Sequence, residues 1–226
     1  MIRLGFYTLA AFCIWPAGGI SSEVSGRIII DKTVAKRTVP AAVYDLRGVA
    51  VRENPAEHRG VNGFERVAVW LESSTPSAAK PVNSTMQQHQ SHFDPDLLIV
   101  PVGSTVAFPN LDPIFHNIFS LSRSQSFDLG YYPQGRSRNV TFPRSGIVQV
   151  YCHVHPAMYG VIVVTSSRWA EKPASDGTFS WSDVPAGKYR LVVWQKSTGL
   201  VHKSIVVPKT NPIQVTITLP EEDEEN

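Results

Sequence analysis

The sequence predicts an all-β protein. Short runs rich in Val, Ile, Thr and aromatic residues recur along the chain, and segments rich in Gly, Pro and Asp separate them. The 226 residues include 17 Pro and 15 Gly, a content that suits many tight turns. The length fits one or two domains. The formal net charge of +2 is too small to indicate a nucleic-acid partner.

The first element is a predicted export signal over residues 1–22. Arg3 precedes an apolar run at residues 4–15, and small residues follow at 17–19. This order is typical of a secretory signal, and the run is short for a membrane-spanning helix. An uncleaved anchor is the alternative. We therefore expect a periplasmic or secreted protein without stable membrane insertion.

Two strands are predicted after the signal, at residues 24–30 and 65–72. Their sequences, VSGRIII and ERVAVWLE, are rich in β-branched and apolar residues. Residues 47–63 and 73–84 have the composition of loops. Residues 43–46 are strand-like, but the sequence does not assign them to a sheet.

The central part of the chain carries four candidate metal ligands. Cys152, His155 and Met158 follow one another at intervals of three residues, and His116 lies upstream. Sulfur suits Cu(I), and imidazole accepts both Cu(I) and Cu(II). Two imidazoles, one thiolate and one weak axial thioether are the ligands of a blue copper site. We predict that these four residues bind one copper ion.

A Cys or Met alone is usually a core residue, so only the combination of the four residues predicts a metal site.

The other histidines have simpler interpretations. Strand alternation points His153 away from Cys152, and we expect it to be a surface or packing residue. His89 and His92 could bind a metal ion weakly, but we interpret them as polar loop residues.

Residues 97–164 resemble the cupredoxins, which are Greek-key β-barrels of the amicyanin and plastocyanin type. The Cys-x-x-His-Pro-x-Met segment is similar to the short ligand loop of amicyanin, with Val154 where amicyanin has a proline. Residues 108–120 resemble the first ligand loop of the family. The resemblance implies the same copper ligands. It also implies that His155 lies near the surface, where electrons would leave.

The resemblance assigns a supporting role to Asn117. In the family, the Asn that follows the first His ligand ties the two ligand loops together. Its backbone N–H also commonly bonds the cysteine sulfur. Asn117 occupies the matching position, where such a bond would tune the reduction potential.

The C-terminal part predicts a second β unit. Strands at residues 178–181, 188–194, 202–207 and 213–219 are separated by turn sequences such as Asp-Gly and Pro-Ala-Gly. This pattern resembles the second half of a carboxypeptidase regulatory-like domain, a small transthyretin-like β-sandwich. Trp181 and Trp194 could form a binding surface there, but strand aromatics are more often core residues.

The missing half of that sandwich is predicted at the N-terminus, so the copper domain would be an insertion. The chain would leave the sandwich near Ser73 and return near Trp169. Two consecutive domains are the competing layout. The predicted division is a signal at 1–22, a discontinuous sandwich at 23–76 and 167–220, a cupredoxin domain at 85–166 and a solvated acidic tail at 221–226.

These patterns predict an exported mononuclear type 1 copper protein that transfers single electrons between redox partner proteins. Without the signal, Cys152 is the only cysteine, and copper would occupy a thiol otherwise prone to oxidation. A copper-handling protein without electron transfer and an accessory structural protein are the alternatives. An enzyme is not expected, because four protein ligands leave no position for a substrate. A small apolar patch for docking is predicted at Pro113, Ile114, Pro156, Ala157 and Tyr159.

Overall fold

The computed structural model describes residues 21–31, 64, 66–73, 77 and 79–220. Most of the predicted signal, the strand-like residues 43–46 and the acidic tail lie outside these ranges. Within them, the regular structure consists of strands alone, which confirms the all-β fold class. The strands are β1 (Ser21–Asp31), β2 (Val67–Glu72), β3 (Asn83–Thr85), β4 (Gln87–His89), β5 (His92–Asp94), β6 (Leu97–Pro101), β7 (Thr105–Pro109), β8 (His116–Ser122), β9 (Gln125–Tyr132), β10 (Ser137–Thr141), β11 (Gly146–Cys152), β12 (Tyr159–Thr165), β13 (Ala170–Glu171), β14 (Thr178–Pro185), β15 (Gly187–Gln195), β16 (Gly199–Val207) and β17 (Ile213–Pro220).

Strands from both ends of the described chain share two sheets. In one sheet β1 lies between β14 and β17, antiparallel to the first and parallel to the second. In the other, β2 lies between β13 and β15, and β16 forms the edge. Pairing between distant segments is what the inserted layout requires, and the division into domains stays a prediction.

The two terminal sheets enclose one apolar core. β1 crosses this core at a point where only glycine fits, because a Cβ at Gly26 would lie 2.4 Å from both the Phe179 ring and the Val215 carbonyl oxygen. Trp181 is buried in the same core, in agreement with its interpretation as a packing residue. The fully or nearly fully buried members include Val24, Ile28, Val67, Leu71, Val184, Leu191, Val193, Val207 and Leu219.

The middle of the chain forms a second unit of two sheets. One has the order β6-β12-β11-β8-β9 and the other the order β10-β7-β3. A separate hairpin, β4–β5, packs its Phe93 into the core between them. That core contains Cys152 and Met158, so two of the predicted ligands pack with the apolar side chains of both sheets.

A third apolar cluster joins the two units. Ala68 and Trp70 of β2 and Trp194 of β15 pack against Val161 and Val163 of β12. The alternate residues of β2 and β15 face the terminal core, so these strands are buried on both faces. A strand buried on both faces needs a continuous apolar sequence, which explains the run VAVWL in β2. The structure is therefore a stack of four sheets with three apolar cores between them.

Two predicted boundaries differ from the structure. β3 lies within and just beyond residues predicted as a loop, because it pairs in parallel with β7. β1 begins at Ser21, inside the predicted signal, and Ser22 is buried with its hydroxyl donating to the carbonyl oxygen of Pro208 at 2.7 Å. Both segments gain their partners from distant parts of the chain, which local composition does not report.

No helix in the described ranges is long and apolar enough to cross a membrane.

The cluster between the units should contribute strongly to stability. Trp194 is 5% exposed, so Trp194→Ala removes a buried ring and leaves a cavity. We expect a loss of about 3–5 kcal/mol in the free energy of unfolding, measured by urea denaturation. Val206→Ala, at a residue that is 66% exposed, is the control and should change it by less than about 0.5 kcal/mol. Equal effects of the two substitutions would contradict a packed interface.

Candidate metal centre

Two adjacent strands bring the predicted ligands together. His116 is the first residue of β8 and Cys152 is the last residue of β11. β8 and β11 are antiparallel, and Cys152 is paired with Ile118, two residues from His116. The turn that leads from β11 to β12 carries His155 and Met158, and the Met158 N–H donates to the His155 carbonyl oxygen at 3.0 Å.

Three donor atoms form a small triangle. The Cys152 Sγ lies 3.5 Å from the His116 Nδ1 and 3.9 Å from the His155 Nδ1, and the two nitrogens are 3.2 Å apart. Within the described ranges, this is the only group of three or more His, Cys, Asp or Glu side chains whose donor atoms converge in this way. Three of the four predicted ligands are therefore neighbours in space.

The triangle has the dimensions of a metal site. With bonds of about 2.0 Å to nitrogen and about 2.3 Å to sulfur, as for zinc, donors at trigonal angles lie roughly 3 to 4 Å apart. Two imidazoles with one thiol in a trigonal arrangement are the equatorial donors of blue copper sites. His116 and Met158 are fully buried and Cys152 is 4% exposed, whereas His155 is half-buried. The donor set thus fits copper, and Met158 belongs to the same apolar core as Cys152.

Asp112 orients the first imidazole. Its Oδ2 lies 2.9 Å from the His116 Nε2, so the carboxylate accepts the Nε2–H and leaves the Nδ1 lone pair facing Cys152. Burial alone would raise the pKa of Asp112, but hydrogen bonds from the Ser91 N–H, His116 and the Gln90 N–H bring it below its ordinary value. A carboxylate on the distal nitrogen is a common support for metal-binding histidines.

Asn110 holds the loop that carries Asp112. Its side-chain oxygen accepts the Asp112 N–H at 2.9 Å, and its amide group donates to the carbonyl oxygens of Ile114 and Tyr132. Neither supporting role was predicted from the sequence. The available signal was an acidic residue four positions before a predicted ligand, close enough in the chain to contact its ring. Only the folded loop shows that Asp112 makes this contact.

Asn117 bonds two neighbouring strands, and its predicted role in tuning the centre stays a prediction. Its carbonyl oxygen accepts the His153 N–H at 3.2 Å, and its side-chain amide donates to the Asp128 carboxylate on β9 at 2.8 Å. A hydrogen bond from the Gly130 N–H, and a second from Asn117, keep the pKa of Asp128 below its ordinary value although burial opposes this. The bond from the Asn117 N–H to the cysteine sulfur stays a prediction.

The electrostatic surroundings favour a neutral His155. Burial lowers the pKa of His155, and the nearby His116 lowers it further, while Asp112 acts in the opposite direction. A neutral imidazole has one ring nitrogen with a free lone pair. This is the protonation state that a metal ligand needs.

The remaining predicted histidines lie outside the triangle. His153 is exposed and its ring lies 4.0 Å from the Phe119 ring, as expected for a packing residue. His89 and His92 lie in paired strands of the β4–β5 hairpin, whereas the sequence analysis placed them in a loop. Two strands of three residues each, joined by a two-residue turn, are too short for a sequence pattern to identify.

Exposed apolar side chains lie in the chain segments next to the ligands. Of the predicted patch, Pro113, Ile114, Pro156 and Ala157 are exposed. Tyr159 instead packs against Tyr151, and Lys196 lies over its ring. Exposed apolar side chains that were not predicted are Leu111, Phe115, Tyr131 and Val154, and Phe115 is 58% exposed.

No family model and no curated protein matches the sequence. Among solved structures, a copper-containing nitrite reductase (NirK) from Thermus scotoductus SA-01 is similar at 27% identity over 41% of this chain and 25% of that chain, with a TM-score of 0.36. A purple cupredoxin from Nitrosopumilus maritimus is similar at 24% identity over 36% of this chain and 99% of that chain, with a TM-score of 0.33. A reduced amicyanin variant is similar at 22% identity over 43% of this chain and 98% of that chain, with a TM-score of 0.35. These TM-scores are low, and the observation that indicates a metal centre is the convergence of the chain's own donor atoms.

Replacement of Asp112 should weaken metal binding without removing a ligand. Asp112→Asn keeps the size of the side chain but cannot accept all three N–H groups that the carboxylate binds. We expect about 10- to 100-fold weaker copper binding, measured by competition with a chelator. Asp176→Asn, at an exposed turn in the terminal unit, is the matched control and should bind as the wild type does. An unchanged affinity in Asp112→Asn would mean that the carboxylate does not orient His116.

Proposed function

We propose that this protein is an exported carrier of single electrons that holds one copper ion through His116, Cys152, His155 and Met158. When bound, copper would supply a one-electron couple between Cu(I) and Cu(II). The observation that carries the proposal is the convergence of two imidazole nitrogens and one thiol sulfur within 4.8 Å of one another. A buried Met158 beside them completes a donor set that suits both oxidation states.

The protein frame supports electron transfer because it restricts movement of the donors. His116 and Cys152 are strand residues in a paired sheet, and Asp112 fixes the His116 ring. Donors that keep their positions in both charge states need little rearrangement when an electron arrives or leaves. The apolar core behind Cys152 and Met158 excludes water from that side.

His155 is the proposed exit for the electron. It is the half-buried donor of the set, and the exposed apolar residues Ile114, Phe115 and Pro156 are close to His116 and His155 in the sequence. A small apolar surface suits the weak and brief contacts that redox partners make. The partners would be redox proteins that dock on this patch.

The burial of the donors favours retention of the metal over its exchange. A copper-handling protein must offer donors that an incoming partner can reach, but His116 and Met158 have no exposed surface and Cys152 is 4% exposed. Four protein donors also leave no position for a substrate, so we propose a carrier and not an enzyme. Cys152 is a free cysteine, and a bound metal would protect its sulfur in an oxidising compartment.

The thiolate provides the most direct test of the proposal. Wild-type protein loaded with Cu(II) should be intensely coloured, because charge passes from a thiolate to the metal on absorption of visible light. Cys152→Ser should lose this colour, and His153→Ala, at the neighbouring exposed residue, should keep it. Visible absorption spectra of the three proteins decide the matter. A colourless wild type that binds one copper ion would rule out a blue copper centre.

The Met158 thioether should affect the reduction potential of the centre more than its affinity for copper. Met158→Leu is expected to retain copper and to raise the reduction potential, since loss of a weak donor destabilises Cu(II) more than Cu(I). His116→Ala should instead weaken copper binding sharply, because an equatorial imidazole is lost. Voltammetry measures the first effect and chelator competition the second. An unchanged potential in Met158→Leu would show that Met158 is not a ligand.

A further inference from the structure

The β4–β5 hairpin presents two histidines on one exposed face. The strands are joined by a two-residue turn, Gln90–Ser91, and His89 is paired directly with His92. Alternation along the strands places these side chains on the face opposite Phe93 and Gln88, which are buried. Both histidines are exposed. This pair lies outside the centre described above and has no role in it.

The register gives the two rings the spacing of metal ligands. Directly opposite residues of antiparallel strands have Cβ atoms about 4.5–5.5 Å apart, so two imidazoles can reach one ion between them. The His92 Nδ1 lies 2.7 Å from the Gln90 carbonyl oxygen, which can only accept. The Nδ1 therefore carries the proton, and the Nε2 keeps its lone pair for a metal.

The hairpin is held in this register by the rest of the fold. Gln90 and Ser91 have φ values of 53° and 59°, in the left-handed region that non-glycine residues seldom adopt. Asp112 stabilises this turn, because its two carboxylate oxygens accept the Gln90 and Ser91 N–H groups at 2.6 and 2.8 Å. Below the turn, the buried Gln88 amide donates to the Phe108 carbonyl oxygen and the Tyr132 hydroxyl. The backbone that carries the two histidines is thus held in place by contacts that need no metal.

We propose that His89 and His92 form a second, surface metal site that takes a divalent cation with a preference for imidazole. The order of affinities for nitrogen donors favours Cu(II) among such cations, followed by the neighbouring first-row metals. Water completes the coordination shell, because the face is open to solvent. The Asp94 carboxylate lies on the same face and adds negative charge near the cation. The site binds a metal ion without changing its oxidation state.

Nitrogen NMR of the imidazoles tests the site residue by residue. The full chain, loaded first with one equivalent of Cu(I), is titrated with Zn(II), which is diamagnetic and binds imidazole. The Nε2 signal of His92 and a ring nitrogen of His89 should shift together and saturate at one equivalent. His202, an exposed histidine on β16, is the internal control and should not follow them. If His89 and His92 shift no more than His202, the proposal is wrong.

Substitutions give an independent measure. His89→Ala and His92→Ala should each raise the dissociation constant for this Zn(II) ion at least about tenfold, since each removes one of two protein ligands. His202→Ala should leave it unchanged. Retained affinity in both hairpin variants would overturn the proposal. Because each histidine has its own signal, failure of this site cannot be mistaken for failure of the centre at His116, Cys152 and His155.

Discussion

The antiparallel pairing of β8 with β11 is the constraint on which the candidate centre depends. Cys152 ends one strand where His116 begins the other, and the pairing of Cys152 with Ile118 sets their separation. The turn after β11 then places the His155 ring next to both residues. A shift of one residue in this register would send the thiol to the opposite face of the sheet and away from both imidazoles.

Asp112 extends that constraint beyond the strands. One carboxylate binds the His116 ring and the two amides of the β4–β5 turn, and Asn110 holds the loop in which it lies. Such a buried group stabilises the fold only when all its hydrogen bonds are made. The Asp112 carboxylate oxygens therefore link the orientation of the His116 ring to the conformation of the β4–β5 turn.

The stack of sheets explains how the terminal unit relates to the centre. β12 carries Val161 and Val163 toward the terminal unit and Ile162 and Val164 toward the core that contains Cys152. The strand that follows the ligand loop is therefore buried on both faces. Strand alternation produces this arrangement, because successive side chains of β12 point to opposite faces of the sheet.

Local sequence patterns were sufficient to predict the all-β class and a donor set of His, Cys, His and Met with the chemistry of copper. Both follow from local patterns, since strand composition and the spacing of three ligands are contained in short segments. The tertiary structure decided what depends on distant partners: the pairing of β1 with β14 and β17, the short β3, and the register of the β4–β5 hairpin. It also decided the role of Asp112, because a carboxylate near a histidine in sequence becomes its hydrogen-bond partner only when the loop around Asn110 folds. The physical reason is that pairing and hydrogen bonding depend on positions in space, and residues far apart in the chain set those positions.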